Sequence, residues 1–439
     1  MLLALLLLCV FFSIMTMSDQ HPEGADAARA TYERVRTELQ PGTVVAIVAR
    51  ASTYDSVFAR HLQNQLEGGG YKVAAAVSGD PVAIREALTA AAANQEIGAI
   101  LASPSSATIL RTVVSQLSEF ENVPILTPPS RRWPTFLLTD NIRNVANQIA
   151  VIAIIAIGMT MVIIAGGIDL SVGSLIALSA VLTAWIIGKL GGVGASGPIL
   201  MLASLIAIIL CGVTGAFSGL MITKFRVPPF IATLAVMQVA AGVAYIISQG
   251  LPIYQIPDSF VWLGRGADPL FRIPIAVLLM LMLYIMAHIT MSRTTFGRYV
   301  YAVGGNVEAA RLAGIRVHLV TLTVYTICAA LAGLGGVVMA SQLKSGAPTY
   351  GAGYELNVIA AVVVGGASLS GGEGRIFGTL IGALVIGVIQ NGMNLTNVES
   401  YTQKVVLGLV ILGAVLLDQL KHRGFTRFLR RQLRMQSAA

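Results

Sequence analysis

The chain is short of charge. Asp, Glu, Lys and Arg make up 11% of its 439 residues, against about 25% in soluble globular domains. With 55% hydrophobic residues and a mean hydropathy of +0.77, an ordinary soluble protein is excluded. Cysteine is scarce. Cys9, Cys211 and Cys328 lie far apart inside apolar runs, with no metal-ligand spacing, and read as small packing residues. His21, His61, His288, His318 and His422 form no H-E-x-x-H or other metal pattern. No G-x-x-x-x-G-K-[ST] phosphate loop occurs, so an ATPase site of the usual kind is missing. The G-x-G-x-x-G at Gly192 to Gly197 falls between apolar runs and not after a strand, a chance match. Catalysis has no candidate residues, and no cofactor or metal is implied. The formal charge of +8 is scattered over loops and the tail, which suits a cytoplasmic membrane face and not a nucleic-acid partner.

What the chain has is long apolar runs and glycine. Its 45 glycines fit membrane helices, where small residues allow close approach. Residues 1–17 form an unbroken apolar run of about the minimum spanning length. It is expected to be a first transmembrane helix, a cleaved signal sequence being the alternative. Residues 18–135 switch to a soluble composition, with 10 Lys and Arg against 12 Asp and Glu, so −2. Strands are expected at 44–48, 71–77, 97–102 and 123–127, with helices at 55–67, 81–94 and 107–120 between them. That alternation makes βαβ units and a small parallel, Rossmann-like sheet. From residue 136 to 420 further spans are expected near 144–165, 171–188, 198–222, 229–248, 273–291, 320–341, 354–366, 376–395 and 402–418. The total is about ten, with 354–366 too short to cross unaided. Residues 421–439 form a basic tail. With the amino terminus inside, the inner loops and tail of the chain from residue 136 onward collect thirteen Lys and Arg against six in its outer loops, the bias of the positive-inside rule. Residues 18–135 would then lie outside the membrane.

Two glycine-rich stretches interrupt the apolar runs. VIIAGGIDLSVGSLIAL at 162–178 is echoed by VVVGGASLSGGEGRIFGTLIGAL at 362–384. Two copies about 200 residues apart imply two related halves, each with a helix break. By the span count the repeat is parallel, though one miscounted helix would invert it. Gly166, Gly167, Asp169, Ser171, Gly365, Gly366 and Ser370 are therefore candidates for a path through the membrane, together with Asn394. Helix packing alone is the alternative for the glycines. Asp169 is costly at membrane depth unless used or paired; capping the helix that starts near Ser171 is the modest reading. The polar stretch 292–318 contains Asn306, Glu308, Ala309, Ala310, Arg311, Gly314 and Arg316, a capped short helix with Gly just beyond its end. It suits another protein's groove, or is a solvated connector with an i,i+3 charge pair.

These residues carry two resemblances. The run GTVVAIVARASTYDSVFARHLQNQLEGGGYKVAAAVSGD, continuing to NVPILTPP, resembles the amino-terminal lobe of periplasmic sugar-binding proteins of the ribose type. In that family two lobes close on a sugar, with aromatic residues after the first strand and an Asp-Arg pair after the fourth. Here Tyr54 and Phe58 stand near the first position, Thr127-Pro128-Pro129 at the second, and no second lobe follows. The insert is thus a docking domain or a sugar-binding one. The segments FLLTDNIRNVANQIAVIAIIAIGMTMVIIAGGIDLSVGSL, RVPPFIATLAVM, TTFGRYVYAVGGNVEAARLAGI and GYELNVIAAVVVGGASLSGGEGRIFGTLIGAL resemble the permease subunits of ribose-type ABC sugar importers. The departure is at the front, where about 120 residues intervene before the match. The resemblance implies a homodimeric or heterodimeric channel in a bacterial inner membrane. It would receive a monosaccharide from a periplasmic sugar-binding protein and be driven by a cytoplasmic ABC ATPase through 306–315. An ion-coupled secondary transporter using Asp169, or a membrane-anchored sugar sensor, are the alternatives. Uptake with ATP depleted separates the first of these.

Overall fold

The structure is a computed structural model that describes residues 1–423. Arg427, Arg430, Arg431 and Arg434 of the expected basic tail lie outside the described residues. Two compact units are present, residues 17–135, and residues 1–16 together with the chain from Phe136 onward.

The chain starts with α1 (Leu2–Met15) and then enters the smaller unit. This comprises β1 (Met17–Gln20), α2 (Gly24–Glu38), β2 (Val44–Ala49), α3 (Thr53–Gly68), β3 (Lys72–Ser78), α4 (Pro81–Asn94), β4 (Ala99–Ala102), α5 (Ala107–Val114), β5 (Ile125–Leu126) and β6 (Arg131–Pro134). Four strands pair in parallel in the order β3-β2-β4-β5. Side-chain alternation on β2 sends Val45, Ile47 and Ala49 to one core with α2 and α3, where Phe58, Leu62 and Leu66 are buried. Ala46 and Val48 go to the other, with Ile84, Leu88 and Leu110 of α4 and α5. Helices on both faces explain why β2 reads as a continuous apolar run. Ser52 and Asp80 start α3 and α4 by accepting the N–H groups of Asp55 and Ala83, the usual N-cap chemistry.

Three features of this unit differ from the sequence expectation. α2 lies in a stretch with little apolar content, and only its Ala27, Ala28, Thr31 and Val35 stripe is buried. The helix expected over 107–120 ends at Val114 and is followed by a 3-10 turn at Ser118–Phe120. The unit is also entered and left through an antiparallel pair, β1 with β6, in which Met17 faces Pro134 and Gln20 faces Arg131. In the larger unit, Thr16 Oγ1 accepts the N–H of Phe136 at 3.1 Å.

The larger unit continues with α6 (Thr139–Ile164), α7 (Val172–Leu190), α8 (Gly197–Lys224), α9 (Pro229–Ser248), α10 (Trp262–Arg265), α11 (Ile275–Arg293), α12 (Thr295–Gly305), α13 (Val307–Leu312), α14 (Val317–Leu343), α15 (Tyr354–Val364), α16 (Ile376–Leu395) and α17 (Ser400–Arg423). Among the described residues, seven helices, α6, α7, α8, α9, α11, α14 and α16, are long and apolar enough to cross a membrane. α1, α15 and the apolar part of α17 stand where spans are expected, but are shorter.

α6 is the centre of this unit. Every residue from Ile149 to Ile164 is buried, and α14, α16, α11 and α15 pack around it. Glycines set the closest approaches. A Cβ on Gly158 of α6 would lie 2.5 Å from Cys328 Cα on α14, and one on Gly219 of α8 would lie 2.7 Å from Leu322 Cα. Cys211 and Cys328 are fully buried at such crossings. By contrast α8, α9 and α11 are each only about a third buried in the described residues, the pattern of helices facing lipid on one side.

Candidate functional site

Both glycine stretches end a helix in the same way. After α6, Gly166 takes φ +85°. The N–H groups of Gly166 and Gly167 return to the carbonyls of Ile163 and Val162, each at 2.9 Å. After α15, Gly366 takes φ +91°, and the N–H groups of Gly366 and Ala367 return to Val363 and Val362 at 2.9 and 3.2 Å. This is the glycine cap that satisfies the last carbonyls of a helix. Each break then makes an i,i+2 side-chain turn. Asp169 Oδ1 accepts the Ser171 N–H at 2.9 Å and the Ser171 hydroxyl at 2.6 Å, and Ser368 Oγ accepts the Ser370 N–H at 3.3 Å.

The two breaks touch. The Gly372 N–H donates to the Ile164 carbonyl at 2.8 Å. A Cβ on Gly371 would lie 2.8 Å from Gly304 O and 3.1 Å from Gly166 Cα. The end of α12 completes the junction. A Cβ on Gly304 would run into Ile164 O and lie 2.7 Å from Gly372 N, and the Tyr301 hydroxyl donates to Gly374 O at 2.7 Å. α6 and α15 therefore end at the same end of the bundle, and the backbone of α12 seats between the loops that follow them. Gly166, Gly167, Gly365, Gly366 and Ser370 belong to this junction or its flanks.

The chain leaves the junction directly into α13. Asn306 Oδ1 accepts the Ala309 N–H at 2.9 Å, Ala310 is buried, and Gly314 at φ +81° ends the turn. Glu308 and Arg311 pair at 2.8 Å with both side chains mostly exposed. Leu312 is 90% exposed and Val307 is 41% exposed, so the helix presents apolar as well as charged surface. Between α13 and the first break lies an open cleft of about 960 Å³, lined by Gly166, Gly167, Arg226, Glu308, Arg316 and Tyr325 among others.

Asp169 is fully buried. The Tyr325 hydroxyl faces Ile168 O at 3.5 Å, the Thr233 hydroxyl accepts the Leu170 N–H at 3.2 Å, and Cys328 interacts with the carboxylate. Oδ2 has no hydrogen-bond partner of normal geometry among the described residues. The geometry gives Asp169 a helix-starting role through Ser171. Asn394 is not brought to the junction. It lies near the far end of α16, exposed, and accepts from Gln403 Nε2 at 2.9 Å. That end is ~27 Å from Ile376 by helix rise. In the smaller unit, Tyr54 is 66% exposed but Phe58 is a core residue at 1%, which removes Phe58 from any ligand surface. Asp55 is also buried, and accepts the Ser105 hydroxyl at 2.5 Å.

Gly304 and Tyr301 were not legible as site residues in the sequence. Gly304 sits in an ordinary Gly-Gly pair, and its role is visible only from the backbone it meets.

Residues 141–415 match the family described as branched-chain amino acid transport system / permease component. The ribose import permease protein RbsC of Escherichia coli (strain K12) is 44% identical over 292 residues, covering 66% of this chain and 88% of the relative. RbsC of Bacillus subtilis (strain 168) is 44% identical over 288 residues, covering 66% and 87%. The D-allose transport system permease protein AlsC of Escherichia coli (strain K12) is 37% identical over 286 residues, covering 65% and 85%. No solved structure matches the chain. The residues matched to the family contain both breaks, α12, α13 and six of the seven long apolar helices in full, and on that ground the chain belongs to this family of permease components, transport subunits and not enzymes.

Proposed function

We propose that the chain is the permease subunit of an ATP-driven ABC importer that moves a ribose-like monosaccharide across a bacterial inner membrane. In this reading it works as a homodimer or heterodimer of permeases. A separate cytoplasmic ATPase binds α13, and a periplasmic sugar-binding protein delivers the sugar. The unit of residues 17–135 is extracytoplasmic and serves to dock or to bind the donor's cargo. The distribution of Lys and Arg supports that orientation.

One observation carries the mechanism. α13 follows α12 after the single residue Asn306, and Gly304 at the end of α12 lies against the backbone of both helix breaks. A partner that moves α13 therefore acts on both breaks together. Packed backbones with no room for a Cβ transmit displacement and do not absorb it. The energy for that movement comes from outside this chain, because the sequence has no phosphate loop.

The test is uptake of radiolabelled D-ribose, D-allose and L-arabinose by Glu308 and Gly314 variants. Glu308→Trp and Gly314→Trp are expected to abolish uptake of the sugar that the unaltered protein carries, while the protein stays in the membrane. Unchanged uptake would sink the lever role of α13. An ion-coupled mechanism through Asp169 draws on the unpartnered Oδ2, and predicts uptake with ATP depleted and the gradient intact.

A further inference from the structure

α7 and α15 both begin inside the bundle. Asp169, which leads into α7, interacts with Cys328, eleven residues from the start of α14 and fifteen from its end. By helix rise that is ~16 Å and ~22 Å from the two ends. The non-helical segment before α15 runs along α7. A Cβ on Gly351 would lie 2.8 Å from Ile176 Cβ, and one on Gly336 of α14 would lie 2.5 Å from Ile176 O. Residues 344–353 thus descend beside α7 as 165–171 ascend, and the two helices start next to each other near mid-span.

Glu355 sits at that meeting point. A Cβ on Gly173, in the first turn of α7, would collide with Glu355 Oε2 and lie 2.6 Å from Gly351 O. The glycine leaves the space that the carboxylate occupies. Glu355 is half-buried, and among the described residues it makes neither a hydrogen bond nor an ion pair. An accessible, unpartnered carboxylate at this depth cannot face lipid, since ionisable groups inside a membrane line water-filled cavities or pair with other groups. Nearby, neither α7 nor α15 has a side-chain cap on the N–H groups of its first turn, the Tyr354 N–H at the start of α15 returning to the Gly351 carbonyl at 3.0 Å. Donors and an acceptor therefore stand together, a set that matches a neutral polyol, whose hydroxyls both give and accept hydrogen bonds.

We propose that Glu355 is a substrate-contacting residue, its carboxylate accepting hydrogen bonds from the hydroxyls of a monosaccharide that passes the open side of this residue. This rests on the transport reading above and adds a contact point to it.

The complete importer in proteoliposomes, with radiolabelled D-ribose, D-allose and L-arabinose, provides the test. Hydrogen bonds to charged groups set the scale. Glu355→Gln is expected to lower uptake of the sugar that the unaltered protein carries about 10- to 100-fold. Basal ATP hydrolysis and oligomeric state should be unchanged, and Glu355→Asp should restore part of the uptake. In membrane vesicles, Glu355→Cys is expected to react with a charged thiol reagent, more slowly when the sugar is present. Unchanged uptake by Glu355→Gln, or no reaction of Glu355→Cys, would overturn the assignment. Loss of the oligomer in Glu355→Gln would place the residue at a subunit contact and overturn it too. Failure of the unaltered protein to carry any of the three sugars would instead overturn the transport reading, and so is distinguishable from failure of the Glu355 contact alone.

Discussion

At the scale of single residues, two glycines of the junction are required for different reasons. Gly166 needs its left-handed φ of +85°, but a Cβ there would meet nothing within 4 Å. Gly166→Ala should therefore cost only the conformational penalty, about 1–2 kcal/mol. Gly304 is helical and carries no such penalty, but the Cβ of Gly304→Ala would collide with the Ile164 carbonyl, a backbone atom that no rotamer change can move aside. Thermal unfolding in detergent should show both variants lowered, with Gly304→Ala lower. The reverse order would contradict the packed junction. Asp169 divides two mechanisms in the same way. Asp169→Asn keeps an oxygen to accept the two Ser171 donors, so stability and uptake should survive. Asp169→Leu leaves both buried Ser171 donors without their acceptor and should lose about 1–3 kcal/mol in the same melts. Abolished uptake in a stable Asp169→Asn protein would favour ion coupling.

At the scale of elements, α13 has the character of a contact and not of a structural prop. Its exposed Glu308–Arg311 pair contributes about 0.2–0.5 kcal/mol at most, and Leu312 buries almost nothing. Leu312→Asp should thus leave the melting temperature unchanged, yet weaken capture of the ATPase subunit in a pull-down from membranes. Retained capture would argue against α13 as the docking element. The same helix shows what sequence makes legible. The Asn306 cap and Gly314 stop are local signals, each set by one residue's chemistry, and the boundaries follow from them. The parallel strands of the smaller unit were legible too, because alternating apolar strands and capped helices repeat at short range. α2 was not, since its buried stripe is mostly alanine in a polar stretch. Nor was the β1–β6 pair, whose partners are more than a hundred residues apart and carry no apolar alternation. The junction of the two breaks has the same character. Each Gly-Gly was visible, but their contact through Gly304 and Gly372 depends on how three helices end in space.

At the scale of the whole molecule, the α/β unit interrupts a permease without interrupting its helices. Its ends are held side by side by β1 and β6, and its two cores are complete within residues 17–135. The isolated unit is expected to fold. Calorimetric titration with pentoses and hexoses should then give no heat if it only docks, and a saturable signal if it binds sugar. The larger unit has its main core around α6, with smaller clusters beside it, and the three backbones of the junction stand at one end with α13 beyond them. Such an arrangement moves as a lever only when something outside the chain pushes on it. The most direct measurement is sugar uptake into proteoliposomes of the purified importer, with ATP or an imposed ion gradient as the sole energy source. The structure predicts uptake with ATP alone, lost when α13 is altered. Uptake driven by the gradient with no ATP present would contradict it.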